Sequence, residues 1–286
     1  MKLSPSSQMM FNVLHITMLN NDHKEIGTAT GFLFGFCKKD DGSNLLCLVS
    51  NRHVLGACPH IRISVTCAGK DGSPDIGNLI QIETSTRYVL CHPNPEIDLA
   101  IIPMANVWDA ICDAGKKMYY VMSSVDDIPT EKEWNEFNAM EHVVMPGFPK
   151  GLRDEVNNQP IIRSGVTATH PALDFRGTPK FLVDLPCYEG CSGSPVFLYN
   201  EGLRLNRNGS DYTFNAGDEI KLLGIQHAIP AQYSIGKLAT VPAAGTKDVP
   251  VTQLYLNLGF IIKSTELLAF EEILKTQVVP VLNSMD

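Results

Sequence analysis

A serine, a histidine and an aspartate in this chain stand in settings that could support nucleophilic chemistry. The run Gly190-Cys191-Ser192-Gly193-Ser194-Pro195 places a serine between two glycines. A serine hydroxyl is a weak nucleophile and needs a base, an oxyanion hole and a backbone that exposes it. Flanking glycines permit a tight turn that aims successive N–H groups inward. The N–H groups of Gly190 and Ser192 are therefore the candidate oxyanion donors. Taken alone, the run also reads as an ordinary Gly/Ser/Pro turn between strands.

The stretch Val49-Ser50-Asn51-Arg52-His53-Val54 ends an apolar run in a histidine, and Ile97-Asp98-Leu99-Ala100-Ile101-Ile102 opens one with an aspartate. Each has a plain reading: a satisfied histidine at a strand end, and a turn or strand-capping carboxylate. A buried carboxylate is costly unless it is paired. Taken as a set, nucleophile, imidazole base and orienting carboxylate are what acyl transfer requires. His53, Asp98 and Ser192 lie 45 and 94 positions apart, so only a tertiary fold could assemble them.

The elements available to do so are mostly strands. Short runs rich in β-branched and aromatic residues fall at 10–18, 28–36, 45–50, 61–66, 80–84, 99–102 and 143–147. Others fall at 161–169, 181–185, 195–199, 220–227 and 254–262, and Gly, Pro, Asn and Asp clusters bound them. Many short strands joined by turns predict a sandwich or barrels, not alternating βα units. Helical patterns are expected at 105–114 and 130–139, between the two β-rich halves. Another closes the chain at 264–276, where Leu267, Leu268, Phe270, Ile273 and Leu274 recur at helical spacing. The polar segment 200–217 reads as a surface hairpin or excursion.

At 286 residues, with 44% hydrophobic and 19% charged residues, the chain can bury two sizeable cores, and disorder is not expected. A net charge of -8 argues against nonspecific nucleic-acid binding. No run approaches the roughly 20 apolar residues of a membrane span, and the first residues lack a signal-peptide apolar core. The eight cysteines are scattered, several within apolar runs, and free thiols in a cytoplasmic protein are expected. The sequon-like Asn208-Gly209-Ser210 then carries no glycosylation meaning. Cys58-Pro59-His60 and Cys91-His92 lack recurring metal-ligand partners, so neither metal nor cofactor is expected.

The order His, Asp, Ser resembles the trypsin-like (chymotrypsin-fold) serine peptidases, and differs from the orders of subtilisins and α/β-hydrolases. Further stretches look like the bacterial HtrA-like and glutamyl-endopeptidase-like branch. They are Gly27-Thr28-Ala29-Thr30-Gly31-Phe32-Leu33, Gly147-Phe148-Pro149 and Arg163-Ser164-Gly165-Val166, with Leu223-Gly224-Ile225-Gln226-His227 and Asn257-Leu258-Gly259-Phe260-Ile261-Ile262 following. A PDZ-like domain is not expected among these residues. The resemblance implies an all-β fold of two antiparallel Greek-key six-stranded barrels with a C-terminal helix. Residues 1–104 would form the first barrel with His53 and Asp98, and 105–139 a helical link. Residues 140–263 would form the second barrel with Ser192, and 264–286 the closing helix and tail.

The resemblance also implies roles. Ser192 would attack a peptide carbonyl, His53 would move the proton, and Asp98 would orient the imidazole. The specificity pocket would be walled by Pro186, Cys187, Tyr188 and Glu189, by Gln226, His227 and Ala228, and by Leu258 and Gly259. Pro186 stands where trypsin carries the aspartate that selects Lys and Arg, and a small or apolar P1 residue is expected. His227 is the candidate for an acidic preference. Cys191 stands where trypsin has the aspartate of its zymogen switch, so no such switch is expected and Cys191 reads as structural. The partner implied is a polypeptide substrate, with room for a regulatory protein and none for nucleic acid or membrane. Two other readings stay open: a latent protease that a partner activates, and a catalytically silent binding module on a peptidase fold.

Overall fold

The computed structural model describes residues 3–200, 202–208, 211–216, 219–229, 231–235 and 251–278. The sequon-like segment and the tail past 278 therefore lie wholly or partly outside the described residues. In the first half, strands β1 (Val13–Leu19), β2 (Glu25–Phe36), β3 (Leu45–Ser50), β4 (His60–Ala68), β5 (Pro74–Ser85), β6 (Leu90–Cys91) and β7 (Ala100–Pro103) pair in the order β5-β4-β1-β2-β3-β7-β6. A two-residue strand, β8 (Ser123–Ser124), joins β2 in parallel. The first half is thus an eight-stranded sheet whose ladder does not close among the described residues, where six strands were expected.

The second half closes fully. Strands β9 (His142–Gly147), β10 (Ile161–Thr167), β11 (Lys180–Asp184) and β12 (Pro195–Asn200) come first. The hairpin β13 (Leu203–Asn208) and β14 (Asp211–Ala216) follows, then β15 (Glu219–Ala228), the pair β16 (Ala231–Ile235) and β17 (Val251–Tyr255), and β18 (Leu258–Lys263). Six of them form a closed barrel in the order β10-β11-β18-β15-β12-β9. The segment expected as one strand over 254–262 is two. Asn257 lies between β17 and β18 with φ at +57°, a left-handed conformation that asparagine tolerates and a strand cannot continue through. This is the expected all-β architecture, consistent with the chymotrypsin fold.

Strand β2 shows how one sequence run serves two cores. Its side chains alternate between faces. Ala29 and Leu33 pack with Ile16, Leu48, Ile63 and Ile102 in the first-half core. Phe32, Phe34 and Phe36 pack on the other face with Val144, Phe148, Phe197, Ile225 and Ile262 from the second half. Because both faces are covered, the strand reads as a continuous apolar run. The second barrel is filled by Val143, Met145, Phe181, Val183, Val196, Leu198, Leu223 and Ile261.

The expected helical link over 105–139 is divided between the halves. The helix Ala105–Asp113 buries Val107 and Ile111 in the first core. The helix Glu131–Glu136 starts at a reciprocal cap between Thr130 and Glu133 and leads Trp134 and Phe137 into the second. The closing segment is a 3₁₀ turn (Ser264–Leu267), an α-helical turn and a half (Leu268–Ile273) and a π turn (Leu274–Val278). It lays Leu267, Phe270 and Leu274 over the cluster between the halves. No helix among the described residues is long and apolar enough to cross a membrane.

His15 on β1 belongs to this junction. Its ring meets Phe148 edge-on at 5.1 Å between centroids, and it is 5% exposed. Burial first, and the Arg153 charge second, lower its pKa to about 4. The unfolded chain therefore binds a proton near pH 6.5 that the folded chain refuses until about pH 4. Folding stability must fall as pH drops through that window, by up to about 3 kcal/mol. Urea unfolding at a series of pH values should show this loss, and His15→Phe should flatten it between pH 6.5 and 4.

Candidate active site

His53 lies in a single helical turn, Arg52–Leu55, that begins where β3 ends. Asp98 lies just before β7, the strand paired with β3. Antiparallel pairing of β3 with β7 therefore brings the start of one and the end of the other together. The contact is two-point. Asp98 Oδ1 accepts the His53 backbone N–H at 2.9 Å, and Asp98 Oδ2 lies 2.6 Å from His53 Nδ1. A carboxylate there holds the proton on Nδ1 and leaves Nε2 as the basic nitrogen.

Two neighbours that the sequence reading did not single out fix this pair. Asn51 Nδ2 donates to the Asp98 carbonyl at 2.8 Å. The Arg52 guanidinium donates to the carbonyls of His92 (2.6 Å), Pro95 (3.0 Å) and Asn94 (3.2 Å), pinning the loop that delivers Asp98. Their adjacency to His53 is the one signal the sequence offered.

His227, expected on the pocket wall, turns its ring elsewhere. Its Nδ1 lies 3.1 Å from Asp98 Oδ2, so one carboxylate oxygen faces two imidazoles, one from each half. Burial alone would raise the Asp98 pKa. Hydrogen bonds from His227 and His53, with the His53 backbone N–H and charge, outweigh it and hold the carboxyl well below the usual carboxylate range. Strand alternation could not have predicted this orientation, because the β15–β18 register shifts between Gln226 and Ala228. A bulge there re-aims the side chain.

Ser192 stands on the turn between β11 and β12. Gly190 and Gly193 have φ of +85° and +86°, which glycine alone adopts without strain. Space is as restrictive as conformation. A Cβ on Gly190 would come 2.5 Å from the Phe148 carbonyl oxygen, and one on Gly193 2.1 Å from that of Thr30. The turn is tied to both halves. Thr30 donates its N–H to the Ser192 carbonyl (3.0 Å) and its hydroxyl to the Gly190 carbonyl (2.8 Å). Gly193 donates to the Gln226 carbonyl (2.9 Å), one residue before the histidine that faces Asp98. Ser50 Oγ, three residues before His53, donates to the Thr30 carbonyl at 2.7 Å.

The Glu189 carbonyl accepts the Lys150 N–H at 2.6 Å. In a trans peptide the next N–H, that of Gly190, must point away from residue 150. Among the described residues neither the Gly190 nor the Ser192 N–H donates to a protein acceptor. Cys191 is fully buried in the second-barrel core. Of the other expected pocket residues, Pro186 and Glu189 are exposed and Tyr188 and Leu258 half-buried. Cys187 and Gln226 are buried, and the Gln226 amide donates to the Ala228 carbonyl at 3.3 Å. The Cys187 sulfur fills the space that a side chain on Gly259 would need, 2.6 Å from its ideal Cβ.

No family model matches the chain, and no curated protein does. Among solved structures it is similar to the apo MamO protease domain of Magnetospirillum magneticum, at 15% identity and a TM-score of 0.43 over 92% of this chain and 97% of that one. It is also similar to Deg5, at 15% identity and 0.44 over 80% and 88%. A third is the scabies mite inactivated protease paralogue S-I1, at 11% identity and 0.47 over 94% and 97%. Likenesses this distant carry no weight on the chemistry, which rests on the geometry above.

The shared oxygen makes a prediction. Ionised Asp98 is favoured in the fold, so its contribution to stability is full above the usual carboxylate pKa and lost as pH falls through its own lower value. A ¹³C NMR titration of the Asp98 carboxyl should show a midpoint well below that of an ordinary aspartate. His227→Ala should move the midpoint back toward the usual range. An unchanged midpoint would mean that His227 does not bond the carboxylate.

Proposed function

We propose that this chain is a serine endopeptidase of the trypsin-like type, working through His53, Asp98 and Ser192. The observation that carries the reading is the two-point contact between Asp98 and His53, which orients the imidazole and leaves Nε2 free as a base. It supports a general-base role more strongly than a structural histidine would require, because His53 is half-exposed and its ring needs no such fixing for packing. The constrained Gly190–Gly193 turn supports the second requirement, a nucleophile beside inward N–H groups.

In this reading His53 Nε2 takes the proton as Ser192 Oγ attacks the scissile carbonyl. The oxyanion forms against the N–H groups of Gly190 and Ser192. As the tetrahedral intermediate collapses, the same imidazolium gives its proton to the departing amine, leaving an acyl-serine. Water then repeats the cycle and frees the acid. Cys191 takes no part, since its side chain is buried away from solvent. All eight cysteines are free, which supports a reducing compartment, the cytoplasm, as the working location.

A fluorophosphonate probe tests the reading directly. Wild type and Cys191→Ala should label and Ser192→Ala should not. Gly190→Ala should slow labelling at least about 10²-fold, the scale of losing one oxyanion donor, because its new methyl group must push the turn off the Phe148 carbonyl. A folded wild-type protein that never labels would overturn constitutive activity and leave the partner-activated and silent binding readings.

A further inference from the structure

Arg163 is a half-buried guanidinium without a counter-charge that meets two of the expected pocket residues, Pro186 and Cys187. It lies on β10 directly opposite Met145 of β9, and opposed residues in an antiparallel pair share a face. Met145 is fully buried in the second-barrel core, so Arg163 extends on the barrel's inner side. Its Nη1 donates to the Pro186 carbonyl at 2.5 Å, beside Cys187. The other edge of the guanidinium is unused: Nε and Nη2 are both shielded from solvent and have no hydrogen-bond partner.

That arrangement is expensive if it is only structural. An arginine stays charged inside a protein, and buried N–H groups without acceptors forfeit their hydration. Among the described residues no carboxylate pairs with it. The Cys187 thiol coupled to it does not compensate, because burial pushes that thiol up to about 12 against the pull of Arg163, leaving a neutral S–H. The Nε–Nη2 edge is the fork that matches both oxygens of a carboxylate. The Cys187 sulfur, which feels the Arg163 charge, also lies against Gly259.

We infer that Arg163 is the specificity-determining residue of this site and selects an acidic side chain, Glu or Asp, at P1 of the substrate. This rests on the peptidase reading above and replaces the expectation of a small or apolar P1 residue. It also moves the acidic preference from His227, whose Nδ1 is engaged by Asp98, to a residue on another strand.

The test uses fluorogenic peptides identical except for Glu, Asp, Gln, Leu or Ala at P1, with wild type, Arg163→Gln and Arg163→Lys. Wild type should cleave after Glu or Asp at least about 10²-fold more efficiently (kcat/KM) than after Gln or Leu. Arg163→Gln should collapse the Glu-to-Leu ratio by a similar factor, and Arg163→Lys should recover part of it, since it restores charge without the fork. Circular dichroism and thermal unfolding establish that each variant is folded. Best cleavage after Leu or Ala by wild type, or an equal loss on every peptide in both variants, would overturn the inference.

A second arm does not depend on catalysis. Calorimetry with Ser192→Ala should show a peptide ending in glutamate binding at least tenfold more tightly than its glutamine twin, and Arg163→Gln in that background should erase the difference. Wild type that fails to label with fluorophosphonate while this preference holds would defeat the reading of a constitutively active peptidase but not the acid-selecting pocket. Labelling without the preference would do the reverse.

Discussion

Thr30 is fully buried, and its N–H and hydroxyl are spent across the junction of the two halves while its carbonyl is spent within the first. Its N–H and hydroxyl go to the Ser192 and Gly190 carbonyls, its carbonyl receives Ser50 Oγ, and its hydroxyl oxygen receives the Phe148 N–H at 3.1 Å. A buried polar group left unmade costs its full desolvation, so these bonds are kept or lost together. One strand residue thereby sets the nucleophile turn against both the end of β3, where His53 begins, and the 148–151 turn. That turn holds the Glu189–Gly190 peptide. The candidate site is as rigid as this seam.

Electrostatics reinforces what the seam aligns. Asp98 is delivered by a loop that Arg52 clamps through three carbonyls, and its Oδ2 faces imidazoles from both halves. The second imidazole offers a hydrogen bond to the carboxylate and ties the first sheet to β15. Two charged groups of the molecule have opposite fates. Asp98 is satisfied by its own protein, whereas Arg163 keeps two nitrogens unpartnered.

The aromatic alternation of β2 explains why two β halves form one unit. Phe32, Phe34 and Phe36 face a cluster contributed by the second barrel and by the closing helical segment, so neither half hides its apolar surface alone. The junction between them is then a consequence of packing, with the polar seam at Thr30 setting its register.

Much of this was legible in the order of residues. Short β-branched runs bounded by turn formers mark most of the strands within a few positions, because period and turn chemistry are local. The Gly-x-Ser-Gly run marks a constrained turn, because only glycine tolerates its backbone. His53 and Asp98 each close or open an apolar strand, which suffices to nominate them. Other features depend on contacts far apart in the chain. The left-handed Asn257 splits an apolar run that reads as one strand, and the first sheet recruits Ser123–Ser124 from outside its expected bounds. The bulge beside His227 reverses the parity by which a strand assigns faces, so only the fold sends that ring to Asp98. Arg163 looks like any charged residue on a strand until cross-strand register sets it opposite Met145 and the fold brings it to Pro186. Residue types nominate chemistry, but burial, register and pairing decide which groups meet, and those are properties of the assembled fold.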